Sequence, residues 1–273
     1  MDLYIIFMSL LRMIVPGVPQ NNGTTVPSSP IPGLPICIYA QKVCPNPDVT
    51  FYLYTTEHPE PRLLDLNYPD NITSSLFMMD SPFKLLLHGY GENYTLTANS
   101  VLRSVYLSSG NYNVIVASYG ALVPDGCYIH GTINLPVIAN CTAQLIDFLV
   151  KKMKVPLQNI HVIGFSLGAQ VAGQAGNFMT VGKLKRITDL TCSHFRAPMY
   201  FAESITTQTG FWGYQCSQKM HAIAFPFLCD YDYNAIMGEY ANSSARGIYR
   251  VDTNGKSPYA IGKHRISPLN ELH

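Results

Sequence analysis

Short apolar runs recur along this chain at the spacing of strands separated by helices. Phe83-Lys84-Leu85-Leu86-Leu87 and Asn113-Val114-Ile115-Val116-Ala117 predict central strands, and His161-Val162-Ile163-Gly164 predicts a third. Val49–Thr55 is aromatic and β-branched, which predicts a strand ahead of them, and Leu76-Phe77 begins a further segment after the turn-rich Asn67–Ser75. Between the runs the period changes. Ala98–Ser108 has helical spacing, and Leu135–Lys154 predicts an amphipathic helix with Ile138, Leu145, Phe148 and Leu149 on its inner side. A small-residue helix is expected from Ala169 onward, and another over Ala197–Ile205, packing Met199, Tyr200 and Phe201 back against the sheet. Strand, helix, strand, helix in this order gives right-handed βαβ units and a mostly parallel sheet. Chemistry is then expected at the carboxyl ends of its strands.

Composition narrows the class. The chain has 273 residues, 47% hydrophobic and 13% charged, enough apolar surface for one sizeable core. A formal net charge of +1 without a basic run excludes a polyanion-binding field, so no nucleic-acid partner is expected. Residues 1–20 open with the apolar Leu3–Leu11 and are read as a signal peptide, and 21–36, rich in Pro, Gly, Ser, Asn and Thr, as a flexible leader; 37–273 is then the folded domain. Five Asn-x-Ser/Thr sequons, at Asn22, Asn71, Asn93, Asn140 and Asn242, and seven cysteines favour a secreted, extracellular glycoprotein. Cys/His clusters with zinc spacing, Walker loops and dinucleotide fingerprints are missing from the sequence, so neither metal nor cofactor is expected.

The chemistry-bearing stretch is Gly164-Phe165-Ser166-Leu167-Gly168, set between a predicted strand and a predicted helix. In that context G-x-S-x-G reads as a nucleophile elbow. The tight turn holds Ser166 out over the sheet edge, and the glycines avoid collisions between strand and helix. The glycine turn His88-Gly89-Tyr90-Gly91 after the Phe83–Leu87 strand brings further main-chain amides beside it. The backbone N–H groups of Tyr90 and Leu167 are the candidate oxyanion donors, and His88 is expected to brace the turn rather than act as a base.

Leu87-His88-Gly89-Tyr90, Asn140–Leu149, Ile160–Ala169, Cys192–Ala197 and the tail from Gly238 through Tyr249 together resemble the animal pancreatic-type lipase family, nearest to insect neutral lipases and sn-1 phospholipases. The resemblance covers roughly residues 40–273. It implies an α/β-hydrolase, with a mostly parallel central sheet and helices on both faces, that cuts lipid acyl esters at a lipid–water interface through a Ser, Asp, His triad. Ser166 matches the nucleophile and His194, in Cys-Ser-His-Phe-Arg, the general base. Lys183–Thr188 matches the strand after the elbow helix. The family's Gly-Leu-Asp-Pro segment and lid are missing at the junction Asp189-Leu190-Thr191-Cys192, leaving Asp189 as a stand-in for the orienting acid.

The resemblance also pairs Cys44 with Cys127, suggests Cys216 with Cys229, leaves Cys37 and Cys141 unassigned, and deprives Cys192 of a partner. Ser118 replaces a frequent family aspartate. The aromatic residues of 210–234 either wall an acyl pocket or cover a core edge. Two functions follow from the likeness: a secreted lipase or carboxylic-ester hydrolase, or a catalytically impaired lipid-binding or storage protein on the same scaffold, as yolk-protein relatives illustrate.

Overall fold

The computed structural model describes residues 35–95, 97–191, 194–217, 229 and 232–263. The expected signal peptide, all but the last two residues of the expected leader, and Cys192 lie outside this set.

In chain order the central unit comprises β1 (Thr50–Thr55), β2 (Arg62–Leu63), β3 (Phe83–Leu87), α1 (Thr97–Ser109), β4 (Asn113–Ser118), α2 (Tyr128–Lys151), β5 (Ile160–Phe165), α3 (Leu167–Ala175), β6 (Arg186–Leu190) and α4 (Ala197–Thr206). Six strands form one sheet in the order β2-β1-β4-β3-β5-β6. The pairs β4–β3, β3–β5 and β5–β6 are parallel, while β1 runs antiparallel to both β2 and β4. This is the mostly parallel sheet of an α/β-hydrolase.

Strand alternation explains the helices on both faces. Leu85, Leu87, Ile115 and Val162 point to one side, where Ile138, Leu145 and Leu149 of α2 and Val171 and Ala172 of α3 bury against them. Leu86, Val114, Val116 and Ile163 point to the other, against Leu102 and Tyr106 of α1 and Phe201 and Ile205 of α4. Because β3 and β5 are buried on both faces, their sequences read as nearly continuous apolar runs. Each Leu or Ile so buried stabilises the unit by roughly 1.5–3 kcal/mol.

Three elements differ from the sequence reading. Leu76 ends a single 3-10 turn, Ser74–Leu76, and begins no strand. Helix α2 starts at Tyr128, seven residues ahead of the expected Leu135, and runs through Pro136. A proline lacks the N–H for the bond to residue i−4 and usually marks a helix start. Here the turn before it is held by Gly131 N–H donating to Cys127 O at 2.8 Å and by Asn134, whose Nδ2 donates to Leu122 O at 2.9 Å. Finally, β6 lies two to three residues beyond the expected Lys183–Thr188, which places Asp189 inside the strand and not after it.

The disulfides correct the pairing inferred from resemblance. Cys37 joins Cys127 and Cys44 joins Cys141, while Cys216 joins Cys229 as suggested. The segment 37–44 runs along α2 in the helix's own direction. Midway, Ala40 N–H donates to Asn134 Oδ1 at 2.9 Å and Asn134 Nδ2 donates to Ile38 O at 3.0 Å. Each segment cysteine therefore meets a different position of the helix, and Cys44 is carried past Cys127.

A second, antiparallel sheet has the order β8-β7-β9, from β7 (Phe211–Cys216), β8 (Tyr233–Met237) and β9 (Ile248–Val251). Of the aromatic stretch 210–234, residues 218–228, 230 and 231 lie outside the described set. Phe211 and Tyr214 are fully buried, and Tyr214 clusters with the Cys216–Cys229 bridge.

Candidate active site

Ser166 is the single residue joining β5 to α3. Its backbone sits at φ 55°, ψ −119°, a region that non-glycine residues rarely enter and that costs on the order of 1–3 kcal/mol. The surrounding glycines make this corner possible. A Cβ on Gly164 would lie 2.5 Å from Ala169 N and nearer still to Gly168 O, and one on Gly168 would lie 2.6 Å from His88 O and nearer still to Leu87 O. The two elbow glycines thus let β5, α3 and the end of β3 meet at main-chain contact distance, as the motif predicts.

That contact brings the 88–90 turn against the elbow. A Cβ on Gly89 would stand 3.0 Å from Ser166 Cβ. His88 fixes the turn: its Nδ1–H donates to Gly89 O at 2.9 Å, its Nε2 accepts from Tyr119 N–H at 3.2 Å, and its ring stacks on Tyr119 at 3.9 Å. Tyr119 OH donates to His88 O at 2.5 Å, and Glu92 Oε2 accepts from Gly89 N–H at 3.0 Å. Burial drives the His88 pKa down to about 4, so the ring is neutral and serves as the brace expected of it. Tyr90 packs edge-on against Tyr128 at 5.2 Å. Leu167, at the first position of α3, has its N–H among those that open a helix and favour negative charge. Glu92 and Tyr119 escaped the sequence reading. Glu92, three residues after Gly89, was the legible signal of the two.

His194 follows β6 and is half-buried; its ring lies 4.9 Å from the Phe165 ring and 5.2 Å from that of Phe195. It therefore packs on the residue preceding Ser166. Among the described residues no hydrogen bond joins the Ser166 hydroxyl to the His194 imidazole, and no carboxylate bonds to that imidazole. Asp189 pairs in register with Gly164, is exposed, and accepts from the Thr191 hydroxyl. A cavity of about 1140 Å³ runs along β6 and is lined at one end by Leu190 and Ala197, but not by Ser166, Tyr90 or His194.

At the opposite ends of the parallel strands sits a charged cluster that the sequence did not disclose. Lys84 Nζ donates to Glu239 Oε1 at 2.5 Å and lies 3.3 Å from His161 Nδ1. Tyr106 OH donates to Glu239 Oε2 at 2.7 Å, and Arg186 donates to Glu239 O at 2.6 Å and Gly238 O at 2.8 Å. Burial, together with the Lys84 and Arg186 charges, pushes the His161 pKa down to about 2. Desolvation lowers the Lys84 pKa against the opposing pull of Glu239.

The chain matches the lipase family model over residues 35–191. It is 32% identical over 141 residues to the human inactive pancreatic lipase-related protein 1, covering 51% of this chain and 30% of that protein. Human pancreatic lipase-related protein 2 is 31% identical over 146 residues, with 52% and 30% covered. The pancreatic triacylglycerol lipase of Myocastor coypus is 33% identical over 143 residues, with 51% and 30% covered. Each match therefore spans about a third of the relative's own length. The family match contains Tyr90, Ser166, Leu167 and Asp189 and stops three residues before His194.

Proposed function

This chain belongs to the lipase family, and from that premise we propose that it is a secreted carboxylic-ester hydrolase acting on acylglycerols or phospholipids at a lipid–water interface. The observation that carries this reading is the left-handed backbone of Ser166 between β5 and α3, with the 88–90 turn against it. Ser166 Oγ attacks the acyl carbonyl carbon while His194 takes the hydroxyl proton. The oxyanion that forms is held by the N–H groups of Tyr90 and Leu167. His194 then gives its proton to the departing alcohol oxygen, and water repeats the sequence on the acyl-serine to release the fatty acid. Asp189 stands as the third candidate, the orienting acid. It carries less of the reading, because its carboxylate accepts from Thr191 and has no bond to His194.

Three disulfides support an oxidising, extracellular setting, in agreement with the sequons. The conditions of hydrolysis involve no nucleic acid and call for no cofactor in this scheme.

A second reading, a lipid-binding protein of impaired activity, is favoured by one observation: among the described residues no carboxylate steers His194. Loss of the steering carboxylate costs on the order of 10⁴ in turnover in the serine-protease template. The similarity to a relative named as inactive agrees with it. A fluorophosphonate probe separates the two. Labelling of the wild type, lost in Ser166→Ala and slowed in His194→Ala, supports the hydrolase; an unlabelled wild type supports the binding protein. Asp189→Asn lowers turnover by orders of magnitude only where Asp189 orients the imidazole.

A further inference from the structure

From Gly126 to Ile146 the chain carries no Asp, Glu, Lys or Arg, although 13% of its residues are charged. Core packing explains half of this. By length and composition α2 could cross a membrane, but more than half of its most apolar stretch is buried in the core. The outward face is another matter, because the solvent side of a surface helix ordinarily carries charge.

That face forms a stripe through residues 129, 133, 136 and 140, at helical spacing, and its character changes along the axis. Ile129 is 71% exposed and Ile133 53%, and Pro136 completes an apolar stretch about 10 Å long. Asn140 follows on the same side. Farther on, Asp147 and Lys151 pair at 3.1 Å, so charge returns only toward the end of the helix.

The apolar end of the stripe lies beside the candidate active site. α2 follows β4, so it starts on the side where the parallel strands end, the side of Ser166. Tyr128, 56% exposed, packs its ring on Tyr90, whose N–H is a candidate oxyanion donor. Tyr39, exposed on the segment that the Cys37–Cys127 bridge joins to α2, sets its ring 4.8 Å from His130. Phe195, also exposed, adjoins the site through the ring of His194 at 5.2 Å. These apolar groups gather at one end of the molecule, where their exposure calls for a partner. A protein seated there would close Ser166 off from its ester. A lipid surface is where the ester lies.

Resting on the ester-hydrolase reading above, we propose that the first two turns of α2 are the element that lays this chain on a lipid surface. Ile129 and Ile133 enter the boundary between headgroups and acyl chains, with Tyr128 and Tyr39 beside them, while Asp147 and Lys151 stay in water. The surface it takes is zwitterionic or uncharged, because this face offers no Lys or Arg to anionic headgroups.

Flotation of the disulfide-bonded protein with vesicles of a non-hydrolysable ether phosphatidylcholine tests this without turnover. The wild type is expected to float with the vesicles, and its affinity to change by less than about threefold between low and high salt. Ile129→Ser and Ile133→Ser replace exposed side chains, so both are expected to melt as the wild type does, and each to weaken binding by about tenfold. Leu63→Ser, at an exposed position on the opposite edge of the sheet, is expected to leave binding unchanged. Ile129→Trp is expected to tighten binding and, above the background of Trp212, to be quenched by brominated lipid, whereas Leu63→Trp is not. A water-soluble fluorophosphonate reads the hydrolase separately. Labelling of Ser166 without vesicle binding overturns this inference and leaves the hydrolase standing; binding through Ile129 and Ile133 without labelling does the reverse. Binding that both serine variants leave intact, binding that requires anionic lipid, or an unquenched tryptophan at position 129 would also overturn the proposal.

Discussion

Removing the Glu239 carboxylate is the sharpest test of how the second sheet is held to the first. Lys84 and Glu239 side chains are only 6% and 9% exposed, and their ion pair at 2.5 Å spans 155 positions of sequence. Taking away one member of such a pair leaves the other charged, buried and unpaired, at about 3–5 kcal/mol. Tyr106 loses its acceptor in the same change. Glu239→Ala is therefore expected to lower stability by about 3–5 kcal/mol, or roughly 6–20 °C in Tm for a chain of this size. The loss has a pH signature. Desolvation already depresses the Lys84 pKa, and Glu239 opposes that shift. Without the carboxylate the folded-state pKa falls further, so the unfolded chain binds the extra proton. The variant then regains up to about 1.4 kcal/mol per pH unit as pH rises through that window. Lys84→Met with Glu239→Gln removes both charges and keeps an acceptor for Tyr106, and is expected to recover most of the loss. Urea titrations at several pH values read all of this. A loss under about 1 kcal/mol for Glu239→Ala, or a double variant no better than the single, would refute the reasoning.

The elbow offers a paired glycine test: Gly168→Ala drives a methyl into the His88 and Leu87 carbonyls and is expected to cost about 3 kcal/mol or more and to abolish probe labelling. Gly173→Ala in the same helix meets nothing within 4 Å and is expected to gain about 0.5–1 kcal/mol, both read by thermal melting. His88 is kept neutral, with a pKa of about 4 against 6.5. Its contribution is complete above pH 6.5 and is lost as pH falls toward 4, so His88→Asn is expected to flatten the acid limb of the stability profile by about 3 kcal/mol. Non-reducing peptide mapping is expected to return Cys44 linked to Cys141, and Cys44→Ala with Cys141→Ala to lower stability by about 3–5 kcal/mol, since the bridge closes 97 positions.

The parts of the fold legible in the sequence are those fixed by local pattern. Leu85, Leu86 and Leu87 announce a strand buried on both faces, and Gly164-Phe165-Ser166-Leu167-Gly168 announces its corner because only glycine fits two of its five positions. What escaped depends on residues far apart in the chain. Lys84 in an apolar run and Glu239 in a turn give no hint of one another. The family resemblance pairs Cys44 with Cys127, yet the path of 37–44 along α2 decides otherwise. Pro136 sends the opposite signal to the one the helix obeys, because its start is secured by tertiary bonds that sequence does not display. Near the site, the corner that carries Ser166 was readable from its two glycines. The setting of Asp189 was not, since it lies within a strand whose end falls later than the pattern suggests.

The two tethers of segment 37–44 bracket the proline. Cys127 and Cys141 are about 21 Å apart along an ideal helix, and the seven steps from Cys37 to Cys44 span at most about 23 Å when drawn out. The segment, which still holds a tight turn where Val43 N–H donates to Gln41 O, is thus a splint, bolted at both ends and pegged at Asn134, lying across the joint at Pro136 where α2 lacks a main-chain donor. Tyr128, which leans on Tyr90, rides on the splinted half. A thiol reductant would unbolt it, and the 88–90 turn would then lean on a helix end held by fewer cross-links.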